Sequence, residues 1–236
     1  MDGIEKLLKS RKRLIQDIEF PDTVLKGEEE GGCGVVGFCC TQPVPGRHIY
    51  EPSRLMHNRG NGKGGGVAAA GLIPEQLGVS RETLDNCYMI HVAYLDSQVR
   101  FDLEKKYITP HFDVETSAQL EAVDDWESVP GLEVRPPDVW RYFVRVKPGV
   151  LNAFIKGNEF EHLKVEEAED EFVNQNSFKL NQEYYASLKQ QKAFVFQHKY
   201  LHKNLRKILL ITNLLENNGG CQIVYNLLDS NISSRV

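Results

Sequence analysis

Apolar positions in the first eighteen residues recur at helical spacing. Ile4, Leu7, Leu8, Leu14, Ile15 and Ile18 alternate with Lys6, Lys9, Arg11, Lys12 and Arg13. The pattern predicts an amphipathic docking helix, and the cations break the continuous apolar core that a signal peptide needs. Pro21 to Gly32 has no apolar period and ends in two glycines, as an exposed linker does. It runs into Cys33-Gly34-Val35-Val36-Gly37-Phe38-Cys39-Cys40, a small, partly β-branched apolar run that predicts a buried strand starting at the cysteine. Glu51 to Asn58 fits a short helix, the glycine-dense Arg59 to Gly66 a loop, and Val67 to Leu72 a second small-residue strand.

The middle of the chain carries a loose internal duplication. Cys87 to Leu95 predicts a strand followed by a helix over Gln98 to Tyr107; Trp140 to Lys147 predicts a strand followed by a helix over Gly149 to Ile155. A further strand is expected after each pair, at His111 to Glu115 and at Leu163 to Glu166. Two such βαβ units suit a small ferredoxin-like insertion, joined by the acidic, Pro-rich residues 121–137. From Glu171 the pattern reads as strands again: Phe172 to Leu180, Tyr184 to Leu188, and Lys192 to His198, rejoining the first sheet. Beyond His198, basic residues lead into a Leu/Ile/Asn-rich stretch expected to begin as a helix. Its apolar run, Ile208 to Leu215, is interrupted by Thr212 and Asn213 and is too short to cross a bilayer.

A chain of 236 residues with 41% hydrophobic content accommodates one domain, or one domain with a large insertion. The formal charge of −5, with both signs interspersed, provides no chain-wide field to attract nucleic acid or a membrane, so neither is expected as a partner. Five cysteines without regular spacing argue against a disulfide framework and for a reducing, cytoplasmic setting. No cofactor is expected, because no cysteine spacing or phosphate loop is present to hold one. Gly60-x-Gly62-x-x-Gly65 matches the dinucleotide fingerprint as a string, which keeps a nucleotide-binding protein as an alternative. The fingerprint needs a strand before and a helix after, whereas the expected order here is helix, loop, strand. His198 and His202 have a zinc-compatible spacing, but Lys199, Lys203 and the lack of a third ligand favour a solvated face, and no metal is expected.

Cys33 has two readings from the residues alone. It is a small buried hydrophobe at a strand edge, as free cysteines usually are, or it is an N-terminal nucleophile. In the second case, removal of the linker leaves an α-amine of pKa about 7.7 to 8.0 beside the thiol to serve as its base. Gly34 and Gly37 would then leave room for a substrate carbonyl. The first reading is the simpler one on residues alone.

The paired motifs favour the second. Cys33-Gly34-Val35-Val36-Gly37-Phe38, followed by His57-Asn58-Arg59-Gly60-Asn61-Gly62-Lys63-Gly64-Gly65-Gly66, resembles the opening of class II glutamine amidotransferases. The form with Asn-Arg-Gly-Asn-Gly is similar to the amidotransferase subunit of archaeal-type glutamate synthase. Pro136 to Val146, Asp170 to Val173 and Tyr184 to Leu188 also look like that subfamily, so the likeness covers roughly residues 30 to 196. It implies an α+β chain with the four-layer αββα N-terminal-nucleophile hydrolase fold. Residues 33–72 and 170–198 would form the amidotransferase core, 73–169 an α/β insertion, 1–32 an extension or propeptide, and 199–236 a divergent end.

The resemblance also implies an enzyme: Cys33 attacks the side-chain amide of glutamine, ammonia leaves for a glutamate-synthase-like partner subunit, and hydrolysis returns glutamate. Gly34, Arg59 and Gly60 would support that site. Family members place a carboxylate-binding arginine, an oxyanion-hole Asn-Gly and an acidic residue beyond the point where the likeness fades, near Phe196. Asn218-Gly219 is a nominal match to the oxyanion pair, although Glu216 to Gly220 reads more simply as a turn. A truncated or frame-shifted product is therefore an expectation, and a catalytically incomplete assembly module is the main alternative to an active enzyme.

Overall fold

The computed structural model describes residues 3–18, 35–37, 44–56, 66–69, 72–122, 124–129, 135–186, 191–198 and 209–212. Six antiparallel strands form one sheet: β1 (Gly66–Ala69), β2 (Tyr88–Tyr94), β3 (Phe112–Gln119), β4 (Asp138–Val146), β5 (Ala193–His198) and β6 (Leu209–Thr212), in the order β1-β6-β5-β2-β4-β3. Six α-helices accompany them: α1 (Gly3–Ile15), α2 (Tyr50–Leu55), α3 (Arg81–Asn86), α4 (Arg100–Leu103), α5 (Pro148–Asn158) and α6 (Val165–Asn181). α4 is preceded by a 3-10 turn at Ser97–Val99 and widens into a π-type turn at Glu104–Ile108.

β2 is central and buried along its whole length. Alternation sorts its residues onto two faces. Tyr88, Ile90, Val92 and Tyr94 join Tyr142, Val144 and Val146 of β4 and Val195 of β5 under the helices, against Leu103, Leu151, Phe172 and Leu180. Met89 and Ala93 face the other way with Phe143, Phe194 and Phe196, covered by Leu84 of α3 and by Leu72, Leu77 and Val79. Both faces of β2 are therefore dry, which is why its sequence reads as a continuous apolar run.

The expected strands at Cys87 to Leu95, His111 to Glu115, Trp140 to Lys147 and Lys192 to His198 correspond to β2, β3, β4 and β5. The helices expected over Gln98 to Tyr107, Gly149 to Ile155 and Glu51 to Asn58, and the small-residue strand from Val67, also correspond to observed elements. The chain runs β2, helix, β3, β4, two helices, β5, and the strands order themselves β5-β2-β4-β3, a split β-α-β connectivity. α3 starts with Ser80 accepting from Thr83 N–H at 3.0 Å. α5 starts with Pro148 and ends at Glu159, whose φ of 57° makes it a left-handed cap.

Three expectations differ from the structure. Leu163 to Glu166 and Phe172 to Leu180 are not strands but parts of α6, and Tyr184 begins no strand because Gln182–Ala186 continues α6 as a π-type turn. The buried face of α6 includes Glu171, Gln175, Asn176 and Ser177, so half of its inward positions are polar and the apolar 3.6-residue period is broken. The expected boundary between residues 169 and 170 consequently falls inside this helix. Val35 to Gly37 belong to no strand, and Val35 is 89% exposed, contrary to the buried strand expected there. In the basic-to-apolar region after His198, Leu209–Thr212 is a strand where a helix was expected to lead.

α1 packs on the ends of α5 and α6 through its polar side. Ser10 Oγ donates to Asn158 Oδ1 at 2.8 Å, Gln175 Nε2 donates to Ser10 Oγ at 2.9 Å, and Arg11 reaches Glu171. Gly3 lies so close to His162 that a Cβ there would stand 2.5 Å from the imidazole ring, so only glycine fits this approach. No helix among the described residues is long and apolar enough to cross a membrane.

Candidate functional site

Cys33, Gly34, Arg59, Gly60, Asn218 and Gly219 all lie outside the described residues, and the structure brings none of them together. It does describe what adjoins two of the motifs. Val35, Val36 and Gly37, which follow the expected nucleophile, are exposed. The glycine loop that begins at Arg59 leads into β1 at Gly66, so a strand follows it, not the helix that a dinucleotide fingerprint requires.

Among the described residues, polar chemistry concentrates where the helices cover the sheet. Tyr94 and Tyr142 share a hydrogen bond between hydroxyls at 3.0 Å, and Tyr142 OH also lies 2.7 Å from Glu104 Oε1. The same carboxylate oxygen accepts from Arg100 Nη1 at 2.8 Å. The Arg100 guanidinium lies 4.0 Å from the Trp140 ring centroid and 4.2 Å from that of Phe101. The alternation of β4 sets Trp140 and Tyr142 on one face, and the i, i+4 spacing of Arg100 and Glu104 aligns them on one side of the following helix.

Three more tyrosines repeat the arrangement. Tyr88 OH donates to Asp170 Oδ1 at 2.6 Å, Tyr107 OH to Glu183 Oε2 at 2.6 Å, and Tyr184 OH to Asp102. Burial, with the neighbouring carboxylates adding to it, pushes the phenols of Tyr88, Tyr107 and Tyr184 well above their usual range. Burial does the same to Tyr94 and Tyr142. These phenols stay protonated and donate; they cannot act as bases near neutrality. Their role is to fix the helices over the sheet. The sequence shows the pairs only as scattered tyrosines and acids, and the i, i+4 spacing of Arg100 and Glu104 was the one local signal that could have found part of the network.

Cys87 is the cysteine that the described residues contain, and it is fully buried at the start of β2. Its contact, together with Glu115 at 3.0 Å, holds Arg145 more firmly in its charged form. His91 is buried on the second face of the sheet, 5.6 Å from the Phe196 ring. His202 lies outside the described residues, and among those described no cluster of three His, Cys, Asp or Glu side chains is placed to hold a metal ion. A shallow cleft of about 50 Å³ lies between α1 and the end of α5, lined by Lys6, Lys9, Arg13, Gly157, Asn158 and Glu159.

Comparison with family models, curated proteins and solved structures finds no match to this chain.

Proposed function

We propose that the chain is a cytoplasmic class II glutamine amidotransferase domain that hydrolyses glutamine to glutamate and ammonia for a glutamate-synthase-like partner. Cys33 is its nucleophile, supported by Gly34, Arg59 and Gly60, with Asn218 and Gly219 as the oxyanion pair. The observation that carries this reading is the pair of motifs Cys33 to Phe38 and His57 to Gly66 at their family spacing. The exposure of Val35 adds support, since it leaves the segment beside Cys33 open both to processing and to substrate. The split β-α-β connectivity of β2 to β5 supports a ferredoxin-like unit built into the amidotransferase chain.

In this mechanism the Cys33 thiol gives its proton to the α-amine freed by removal of residues 1–32. The thiolate adds to the glutamine carboxamide, the amine returns the proton to the departing nitrogen, and ammonia leaves. Water then cleaves the thioester to yield glutamate and restore the thiol. Ammonia release from glutamine by the processed chain, compared with Cys33→Ala, tests the proposal. Turnover of order 1 to 1,000 per second that the variant lacks is expected; equal, background-level release from both would overturn it.

A second reading is a catalytically incomplete amidotransferase-fold module acting in subunit assembly. The observation favouring it is that the described strands form one sheet, covered on one side by helices and on the other by residues 72–86. The four-layer αββα fold stacks two sheets face to face. Background-level ammonia release would favour this reading.

A further inference from the structure

An amphipathic helix at the edge of a globular unit ordinarily turns its apolar stripe toward the core. α1 does the reverse. Ser10 is its buried residue, and its fastenings to the protein body are polar: Ser10 and Arg13 to Asn158, Arg11 to Glu171, and Lys6 to Glu159. Ile4 and Leu8 remain 66% and 60% exposed, and Ile15 39%. At 3.6 residues per turn these three side chains fall within an arc of about 40°, so they form one stripe along the helix. Covering a side chain of this size with an apolar phase is worth roughly 1.5–3 kcal/mol.

The charge around the stripe selects what covers it. Between Gly3 and Ile15 the helix has five basic residues, Lys6, Lys9, Arg11, Lys12 and Arg13, and one acid, Glu5, in a chain whose overall charge is −5. Arg11 and Lys12 flank the stripe on opposite sides. A second copy of α1 laid against the first would bring ten basic residues together, which disfavours self-pairing. An anionic lipid surface suits the arrangement. Lys and Arg stems lie along the apolar boundary while their heads reach phosphate, and the stripe enters the acyl edge without needing a shaped recess. The protein body sits on the opposite, polar side of the helix and does not obstruct the approach.

We infer that α1 is a docking helix for an anionic membrane surface, with Ile4, Leu8 and Ile15 entering the headgroup–acyl boundary and the flanking lysines and arginines contacting lipid phosphate. The chain-wide charge, which argues against a membrane partner, does not describe this element, because its acids are concentrated elsewhere. The inference is independent of the glutaminase proposal.

The test is flotation of the full chain with vesicles of phosphatidylcholine containing about one third phosphatidylglycerol, beside vesicles of phosphatidylcholine alone. Partitioning to the anionic vesicles is expected, weakened by added salt. Lys9→Glu combined with Lys12→Glu should reduce it by roughly ten-fold or more, since each basic residue near such a surface is worth about 1 kcal/mol. Leu8→Ser should reduce it several-fold while leaving the far-UV circular dichroism and the melting temperature unchanged, because Leu8 is exposed. No partitioning, or equal partitioning to neutral vesicles, overturns the proposal. So does anionic binding that is indifferent to Leu8→Ser, which would mark a charge patch alone. A dimer in solution that Leu8→Ser dissociates would assign the stripe to a second copy and likewise overturn it.

Discussion

Arg11 in α1 grips Glu171 in α6 with two hydrogen bonds, Nε to Oε1 at 2.9 Å and Nη2 to Oε2 at 2.6 Å, across 160 positions of sequence. Glu171 is buried, and its Oε1 also accepts from Gln175 Nε2 at 2.9 Å. The pair joins the N-terminal helix to the helical layer by a charge contact that is half inside the protein. Removing the arginine leaves a carboxylate with its main counter-charge gone, while removing the whole helix would return that carboxylate to water. Arg11→Ala should therefore destabilise the full chain by about 1–3 kcal/mol, the upper range for a buried pair being reduced because Arg11 is half exposed. Thermal unfolding reads this as a loss of roughly 2–4 °C per kcal/mol. Arg11→Lys should recover only part of the loss, since an ammonium cannot make the two-pronged contact. An unchanged melting temperature in Arg11→Ala would mean that α1 is not held by this contact.

The same helix pair explains which parts of the fold the sequence reveals. β2 and β4 are legible because dryness on both faces, or strict alternation, leaves an apolar signature that local reading detects. α6 is not, because Glu171, Gln175 and Asn176 face inward and meet Arg11, Ser10 and the Tyr107 carbonyl, partners that lie far away in sequence. A window over residues 172–180 sees Phe, Val, Asn and Ser and reads a strand; the tertiary polar contacts that make those residues suit a helix are invisible to it. α1 is legible as an amphipathic helix, but not the choice of which face it buries. The motif around Cys33 is legible only as a string, and its geometry lies outside the described residues.

Asn181, the last residue of α6, places its amide against β5. Its Nδ2 donates to Val195 C=O at 3.0 Å, and its Oδ1 accepts from Val195 N–H at 2.7 Å. β5 pairs with β6 only at Gln197 and His198, so at Val195 the asparagine does what a neighbouring strand would do. Asn181→Ala should leave two poorly solvated backbone groups without these partners and cost about 1–3 kcal/mol. Hydrogen exchange at the Val195 amide should accelerate in the variant more than at Val92. Equal exchange at both positions would indicate that the amide bracket does not protect this edge.

His111 lies between Phe112 and Phe172, 6.4 and 5.7 Å from their ring centroids. Burial lowers its pKa, with Lys179 and Lys147 adding to the effect. Because the folded value lies below the unfolded one, the unfolded chain takes up the proton first as pH falls. Its contribution to stability is therefore intact above about pH 6.5 and declines below it until the folded-state imidazole is also protonated. His111→Gln should flatten this acid-side decline in melting temperature while leaving the profile above neutrality parallel to that of the wild type. Superimposable slopes below pH 6.5 would show that His111 titrates alike in both states.

The central functional claim is that Cys33 is the nucleophile among five cysteines. A diazo-ketone analogue of glutamine alkylates an activated thiolate, the sulfur displacing dinitrogen to form a thioether. Cys87 is fully buried and poorly placed to compete. Treatment of the processed chain with this reagent, followed by peptide mapping, should place the label on Cys33 ahead of Cys39, Cys40, Cys87 and Cys221, and excess glutamine should protect it. Label that falls first on another cysteine, or that is indifferent to glutamine, would contradict the assignment.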